Sequence, residues 1–397
     1  MKTVMNKLDT ESIVNKLDTE TVVNKLDTES VANKIDAEVV SNKVDTKTAV
    51  NELDTIIKEI DPSNIDIDII KKFGEILRNG GTVIFPTETV YGLGANALDE
   101  DAARKIYQAK GRPSDNPLLV HVSKVEDVYE IVQEVSEKAR RLMDRFWPGP
   151  LTILFKKKPI VPDRTSGGLG TVAIRMPSDK VALAIIEAAK VPIAAPSANI
   201  SGRPSPTKAK HLVKDMKGRV DAILLGGDCN YGVESTIVDV SGEKPIILRP
   251  GFVTKEMIEE ELNEEVIIDP SILKKEDNIN AKAPGMKYKH YSPNAEVYIV
   301  SGSKKERIEK IKAFIEKNNE ANLKSGVLLM GDGEEDYPCT VIKLGHTLED
   351  VCHNLFDSLI ELDNLGIDRA YVESFEEKGV GVAIMNRLNK AAAYKIL

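Results

Sequence analysis

The stretch Ala195-Pro196-Ser197-Ala198-Asn199-Ile200-Ser201-Gly202-Arg203-Pro204-Ser205-Pro206-Thr207 concentrates three prolines, four hydroxyls, an amide and a guanidinium in thirteen residues. Prolines fix φ and remove backbone donors, so the polar side chains are left to face a ligand. An apolar run over 191–195 leads into it. That places the loop at the end of a buried strand, where α/β sheets bind ligands. A second group, Lys110-Gly111-Arg112-Pro113 followed by Ser114-Asp115-Asn116-Pro117, sets an ammonium and a guanidinium one residue apart. A lysine point charge and an arginine fork can both reach one phosphate chain. A basic helix C-terminus is the plainer account of the same residues.

Other strand ends carry similar groups. Thr87, Glu88 and Thr89, in Phe85-Pro86-Thr87-Glu88-Thr89-Val90-Tyr91-Gly92-Leu93-Gly94, can bond a small polar substrate or simply cap a helix. Arg175 ends an apolar run over 171–175, where a guanidinium needs an anionic partner such as a carboxylate ligand. His121 lies in the apolar run 118–122 and, as a lone strand histidine, is more readily structural than catalytic. Ser166-Gly167-Gly168-Leu169-Gly170-Thr171 can wrap phosphates or merely turn, and it lacks the spacing of a P-loop. Gly232-Val233-Glu234-Ser235-Thr236 and Leu248-Arg249-Pro250-Gly251 add hydroxyls and a further cation. No Ser-His-Asp spacing, activated cysteine or paired histidine is present, so covalent and zinc chemistry are not indicated. What these residues can do is position a nucleotide phosphate and stabilise its charge.

The elements that must hold them follow from the apolar pattern. Helices over 69–79, 101–109, 125–145 (in two pieces), 180–190 and 207–216 alternate with strands over 82–85, 118–122, 151–156, 171–175, 191–195, 222–225 and 236–240. This alternation predicts an α/β domain. Residues 252–279 are charged and less regular, and 281–293 read as a linker. Strands over 296–300, 326–330 and 369–373, with helices over 304–318 and 348–365, predict a small doubly wound domain.

Charge divides the chain in the same way. Residues 1–60 carry a balance of −4, residues 61–255 of +4, and residues 256–397 of −9. A locally basic cleft in an acidic protein suits a phosphorylated small ligand better than a long nucleic acid. No apolar run approaches a membrane span. Three cysteines without a C-x-x-C argue for a reducing cytoplasm. The first 60 residues are a nine-residue repeat: Asn6-Lys7-Leu8-Asp9-Thr10 recurs from Asn15 and Asn24, with weaker copies from Asn33, Asn42 and Asn51. Nine helical residues turn through about 900°, so successive copies point to opposite sides and build no single sticky stripe. The repeat reads as a weakly helical or disordered extension, or as a tethering arm, without catalysis.

Taken together, Pro86 to Leu93, Lys110 to Pro113, Phe146-Trp147-Pro148-Gly149-Pro150, Ala195 to Asn199, Gly232 to Thr236 and Leu248 to Gly251 resemble the YrdC-type threonylcarbamoyl-AMP synthases in order and spacing. The linker-like Pro284-Gly285-Met286-Lys287-Tyr288-Lys289-His290-Tyr291-Ser292-Pro293 and the second α/β pattern resemble the long form of that family. The repeats are no part of the resemblance. It implies an extension over 1–60, a YrdC-like twisted α/β catalytic domain over 61–255, a linker over 256–294 covering the site, and a Rossmann-like α/β domain over 295–397.

The family condenses L-threonine, bicarbonate and ATP into threonylcarbamoyl-AMP and pyrophosphate. The product goes to a tRNA threonylcarbamoyl transferase complex that makes threonylcarbamoyladenosine. Carried onto this sequence, the resemblance implies that Thr89, His121, Arg175, Ala195 and Ser235 hold threonine. Arg112, Asn116, Thr171, Ser197, Asn199, Ser205 and Arg249 hold ATP. Lys110 and Arg112 act on phosphate or carbamate, and Mg²⁺ comes with ATP. Tyr288, His290 and Tyr291 cover the pocket. Direct tRNA binding is not indicated.

Three rival readings stand beside this one. A carbamoyltransferase of hydrogenase maturation would need an acylphosphatase domain and paired C-x-x-C motifs. A purely RNA-binding module would want aromatic stacking platforms. An ATP-binding regulator would show a damaged pocket.

Overall fold

Alternation along single strands sets the layers of the structure. Val83 and Phe85 pack with Phe73, Leu77, Val181 and Ile185, while Ile84 between them packs with Ile106 and Leu142. Successive strand side chains point to opposite faces, so the two sets lie on either side of one sheet. The computed structural model describes residues 53–273, 283, 290–332 and 336–397. These form one compact unit. The repeats over 1–52, and the linker residues 284–289 with Tyr288, lie outside the described residues.

The first sheet contains β1 (Ile56–Glu59), β2 (Val83–Phe85), β3 (Gly92–Asn96), β4 (Leu119–His121), β5 (Leu151–Lys156), β6 (Thr171–Arg175), β7 (Ile193–Ala194), β8 (Ala222–Leu225), β9 (Thr236–Asp239), β10 (Ile246–Arg249) and β11 (Ile267–Ile268). Their order is β1-β8-β2-β3-β7-β4-β6-β5-β9-β10-β11. Parallel and antiparallel pairs are mixed: β4 runs parallel to β6 and antiparallel to β7. Helices Ile67–Arg78 and Lys180–Ala189 cover one face, and helices Glu100–Lys110 and Glu137–Phe146 the other. The mixed α/β domain anticipated from the sequence is therefore present.

The second sheet holds β12 (Glu296–Val300), β13 (Ser325–Met330), β14 (Thr340–Gly345) and β15 (Arg369–Glu373), in the order β12-β15-β13-β14 and all parallel. Helix Lys304–Glu320 packs on one face through Ile311 and Ile315. Helices Leu348–Asn364 and Gly381–Ala391 pack on the other. Ser303 with Glu306, and Thr347 with Asp350, form capping boxes at two of these helices. The apolar cluster around helices Leu348–Asn364 and Gly381–Ala391 also takes in Val90, Val233 and Tyr291. One core therefore joins the second sheet to the strand-end loops of the first.

Several elements depart from the sequence pattern. Ile56–Glu59, inside the stretch assigned to the extension, is the edge strand of the first sheet, paired with β8. The last repeat copy leads into it: the Leu53 amide donates to the Gly218 carbonyl, and the Thr55 hydroxyl to the Val220 carbonyl. Residues 252–279, expected to be less regular, carry helix Lys255–Leu262, capped by Thr254, and β11 against β10. That helix lies against helix Glu137–Phe146, with Arg141 pairing Glu261 at 3.4 Å. The expected helix over 207–216 is a 3₁₀ turn, Ala209–His211, followed by Leu212–Met216.

Removal of residues 1–52 is expected to leave turnover and melting temperature unchanged. Removal of residues 1–60 strips β1 and buried Ile60 from the sheet, and should lower the melting temperature by several degrees. Thermal unfolding of the two truncations checks this.

Candidate active site

Helix Glu100–Lys110 ends at Gly111, whose φ of 59° is the left-handed conformation that glycine adopts without strain. The chain turns there, so Lys110 points into the protein while Arg112 folds back along its own loop. The Lys110 ammonium donates to the Ser197 carbonyl and, at 2.6 Å, to the Asn199 carbonyl. It thereby holds the Ser/Pro loop to the helix end. Burial pushes its pKa well below the usual lysine value; Arg112 adds to this and Glu234 opposes it. Arg112 donates to the carbonyls of Asn116 (3.3 Å) and Pro117 (3.0 Å).

Arg175 closes β6 and is almost wholly buried. Its Nε donates to the Gly149 carbonyl at 3.1 Å, and its Nη1 to the Thr89 hydroxyl at 2.8 Å. Its Nη2 lies 2.6 Å from Glu88 Oε2. A guanidinium has five N–H donors; Nε and Nη1 spend one each on these bonds and Nη2 faces Glu88, so donors are left over. Burial alone would raise the Glu88 carboxyl, but Arg175 and the Ser178 amide hold it below the ordinary value. His121 sits beside Arg175 in the register of β4 and β6. Burial and the Arg175 charge push its imidazole down to about 3, so it is neutral at physiological pH, and its Nδ1 has no partner among the described residues.

On the far side, Arg249 ends β10. Its Nε donates to the Ser235 carbonyl and its Nη2 to the Ser235 hydroxyl, both at 3.0 Å. That hydroxyl also meets Thr152 Oγ1 at 2.8 Å. Burial lowers the Arg249 guanidinium to about 10. Gly251 explains how the two strand-end loops come so close: a Cβ there would stand 2.4 Å from the Thr236 amide nitrogen. Ser205 donates to Glu234 Oε1 at 2.7 Å, and Ser197 to Asn199 Oδ1 at 2.6 Å.

One cavity collects these groups. Thr89, Lys110, Arg112, His121, Arg175, Ala195, Ser197, Asn199, Ser205, Ser235, Arg249, His290 and Tyr291 all line it. Asn116 and Thr171 do not: Asn116 is buried below Arg112, and Thr171 opens β6 opposite Lys156. Of the stretch 256–294 expected to cover the site, His290 and Tyr291 are the described residues that reach the lining. Ser201 and Arg203 of the Ser/Pro loop, whose polar groups the sequence reading left facing a ligand, also line it, as does Glu234, and the family resemblance gave none of the three a role. Among the described residues, no group of three or more His, Cys, Asp or Glu is placed to hold a metal ion.

Comparison with known proteins decides the family. A family model described as telomere recombination (Sua5/YciO/YrdC) matches residues 75–251, and one described as threonylcarbamoyl-AMP synthase, C-terminal domain, matches residues 253–393. The chain belongs to the threonylcarbamoyl-AMP synthase family. The threonylcarbamoyl-AMP synthase of Pyrococcus abyssi is 48% identical over 321 residues, which cover 81% of this chain and 93% of the relative. That of Bacillus subtilis is 44% identical over 335 residues, covering 83% and 94%. The solved structure of P. abyssi Sua5 complexed with L-threonine superposes with a TM-score of 0.82 at 46% identity, covering 86% of this chain and 99% of that one. In this member of the family the two matched regions meet at the cavity, where His290 and Tyr291 of the second region join a lining drawn from the first.

Glu88 and Arg175 are both buried, so removing the carboxylate leaves an uncompensated cation. Glu88→Gln is expected to cost about 3 kcal/mol at neutral pH. The folded carboxyl titrates below its reference value of 4.5, so the pair's contribution is complete above that pH and is lost as pH falls through the folded pKa. Acid unfolding of Glu88→Gln should accordingly be shallower than that of the parent; parallel curves would contradict the pairing.

Proposed function

We propose that this chain condenses L-threonine, bicarbonate and ATP into threonylcarbamoyl-AMP and pyrophosphate. Membership of the synthase family supports the overall reaction. The observation that carries the residue-level reading is the convergence of Lys110, Arg112, Arg175 and Arg249 with the hydroxyls of Thr89, Ser197, Ser205 and Ser235 on one cavity. Such a cavity offers a carboxylate and a polyphosphate separate cationic ends.

At one end, the remaining N–H donors of Arg175 take the threonine carboxylate. Neutral His121, Ala195, Thr89 and Ser235 shape the place of its amine and hydroxyl. At the other end, Lys110, Arg112, Ser197, Asn199, Ser205 and Arg249 hold the phosphates, and Asn116 and Thr171 act from behind this lining. The threonine amine attacks the carbon of bicarbonate, giving a carbamate and releasing water. A carbamate oxygen then attacks the α-phosphorus, and pyrophosphate departs. Charge stabilisation by Lys110 and the arginines does the work, since no group here is placed as a nucleophile.

Mg²⁺ accompanies ATP in this reading. Glu88 is taken by Arg175 and Glu234 by a second buried arginine, so the cavity offers the ion mainly hydroxyl and carbonyl oxygens. The phosphates and water would supply most of its ligands, and the ion would neutralise phosphate charge. His290 and Tyr291 keep water from the adenylate. The product passes to a tRNA threonylcarbamoyl transferase complex. Three free thiols fit a cytoplasmic setting, and no described helix is long and apolar enough to cross a membrane.

Pyrophosphate release with ATP, Mg²⁺ and bicarbonate should require L-threonine and be matched by a threonylcarbamoyl-AMP peak in mass spectrometry. Lys110→Ala and Arg112→Ala should each lower turnover by at least about a hundredfold while circular dichroism stays that of a folded chain. Near-normal turnover in either would contradict the phosphate assignment.

A further inference from the structure

Arg387 is a wholly buried side chain that the reaction as described does not use. It lies on helix Gly381–Ala391, on the same face as Ile384, Leu388 and Ala391, which belong to the second sheet's core. A cation on the apolar face of a helix is costly unless it is paired. Besides its chain neighbour Asn386, its hydrogen-bond partners among the described residues belong to the first domain's site. Nε lies 3.1 Å from Glu234 Oε2, and Nη1 donates to the Pro250 carbonyl at 2.5 Å. The Tyr291 ring stands beside the guanidinium, 5.8 Å from its centroid.

Glu234 is where this cation meets the cavity. Its other carboxylate oxygen accepts the Ser205 hydroxyl. Its chain neighbour Ser235 holds Arg249. Burial by itself would raise the Glu234 carboxyl, and Arg387, followed by Arg249, keeps it ionised. Among the described residues Arg249 directs its Nε and Nη2 hydrogen bonds to Ser235, and Arg387 is the group in ion-pair contact with Glu234.

We propose that Arg387 is a positioning residue for the nucleotide: it neutralises Glu234 and ties the Glu234-Ser235 loop to the Pro250 turn, so that Ser205 and Arg249 face the phosphates. The second domain thereby supplies part of the ATP site without touching the nucleotide. Without Arg387, an unpaired carboxylate would stand in the cavity that takes a polyphosphate. This inference rests on the reading of that cavity as an ATP site.

The test is calorimetric Mg-ATP binding, with turnover alongside, for the full chain and for Arg387→Met, Glu234→Gln and the double variant. Arg387→Met should weaken ATP at least about tenfold at pH near 8. The defect should shrink toward pH 6, because the buried Glu234 carboxyl, still near Lys110, Arg249, Lys390 and Tyr291 but without its ion-pair partner, rises and takes up a proton. Glu234→Gln should relieve the defect, bringing the double variant within about threefold of Glu234→Gln alone. A role in packing alone predicts neither the pH relief nor the rescue. If Arg387→Met does not fold, the double variant, which leaves no unpaired buried charge, decides. ATP binding about tenfold weaker than in Glu234→Gln would overturn the proposal, as would parent-like binding in Arg387→Met or a loss independent of pH. Should the parent chain bind ATP and release no threonine-dependent pyrophosphate, the proposed reaction fails while the comparison of ATP affinities still judges Arg387.

Discussion

Burial of positive charge around the site, at strand ends and on helices, is the constraint on which the rest of the structure depends. Lys110, Arg175, Arg249 and Arg387 are all nearly or wholly withdrawn from water. Each must find carbonyls or carboxylates from another segment, since an unpaired buried cation is not tolerated. Lys110 therefore grips the Ser197–Asn199 backbone, Arg175 grips Gly149 and Glu88, and Arg249 grips Ser235. These bonds bring loops from distant parts of the sequence to one place. They also leave donors over, and in the proposed reaction those donors meet the anionic substrates.

The second domain is joined to this network at more than one point. Arg203 in the Ser/Pro loop pairs with Asp363 on helix Leu348–Asn364. On the same helix Asp357 meets His211 and Lys208, which outweigh its burial and hold its carboxyl well below the ordinary value. Val90, two residues from Glu88, and Val233, next to Glu234, sit in the second domain's apolar core. The site and the domain interface are therefore the same region of the molecule. A change on helix Gly381–Ala391 can reach the nucleotide without any long pathway.

Much of this was legible in the sequence because the site residues sit in prolines, glycines and hydroxyls that interrupt apolar runs. The strands ending at His121 and Arg175 and the loop from Ala195 needed no tertiary information. What escaped was set by partners distant in sequence. The β3 strand, Gly92–Asn96, is short and holds two glycines, so it carries little strand signal of its own, and its pairing with β2 and β7 supplies its hydrogen bonds. The β14 strand lies at a sheet edge with alternate residues exposed, and carries little apolar signal. Ile56–Glu59 read as extension because the repeat runs straight into it. Arg387 gave one clue, a charge in line with Ile384, Leu388 and Ala391, but its partner Glu234 lies 153 residues away.

The central claim is that one cavity holds a carboxylate at Arg175 and a polyphosphate at Lys110 and Arg249 at the same time. Calorimetric titration of L-threonine into the chain with and without saturating Mg-ATP, repeated with Arg175→Ala, tests it most directly. The account predicts that threonine binds in the presence of ATP, and that Arg175→Ala abolishes the threonine signal while ATP still binds. Mutual exclusion of the two ligands, or equal loss of both in Arg175→Ala, would contradict it.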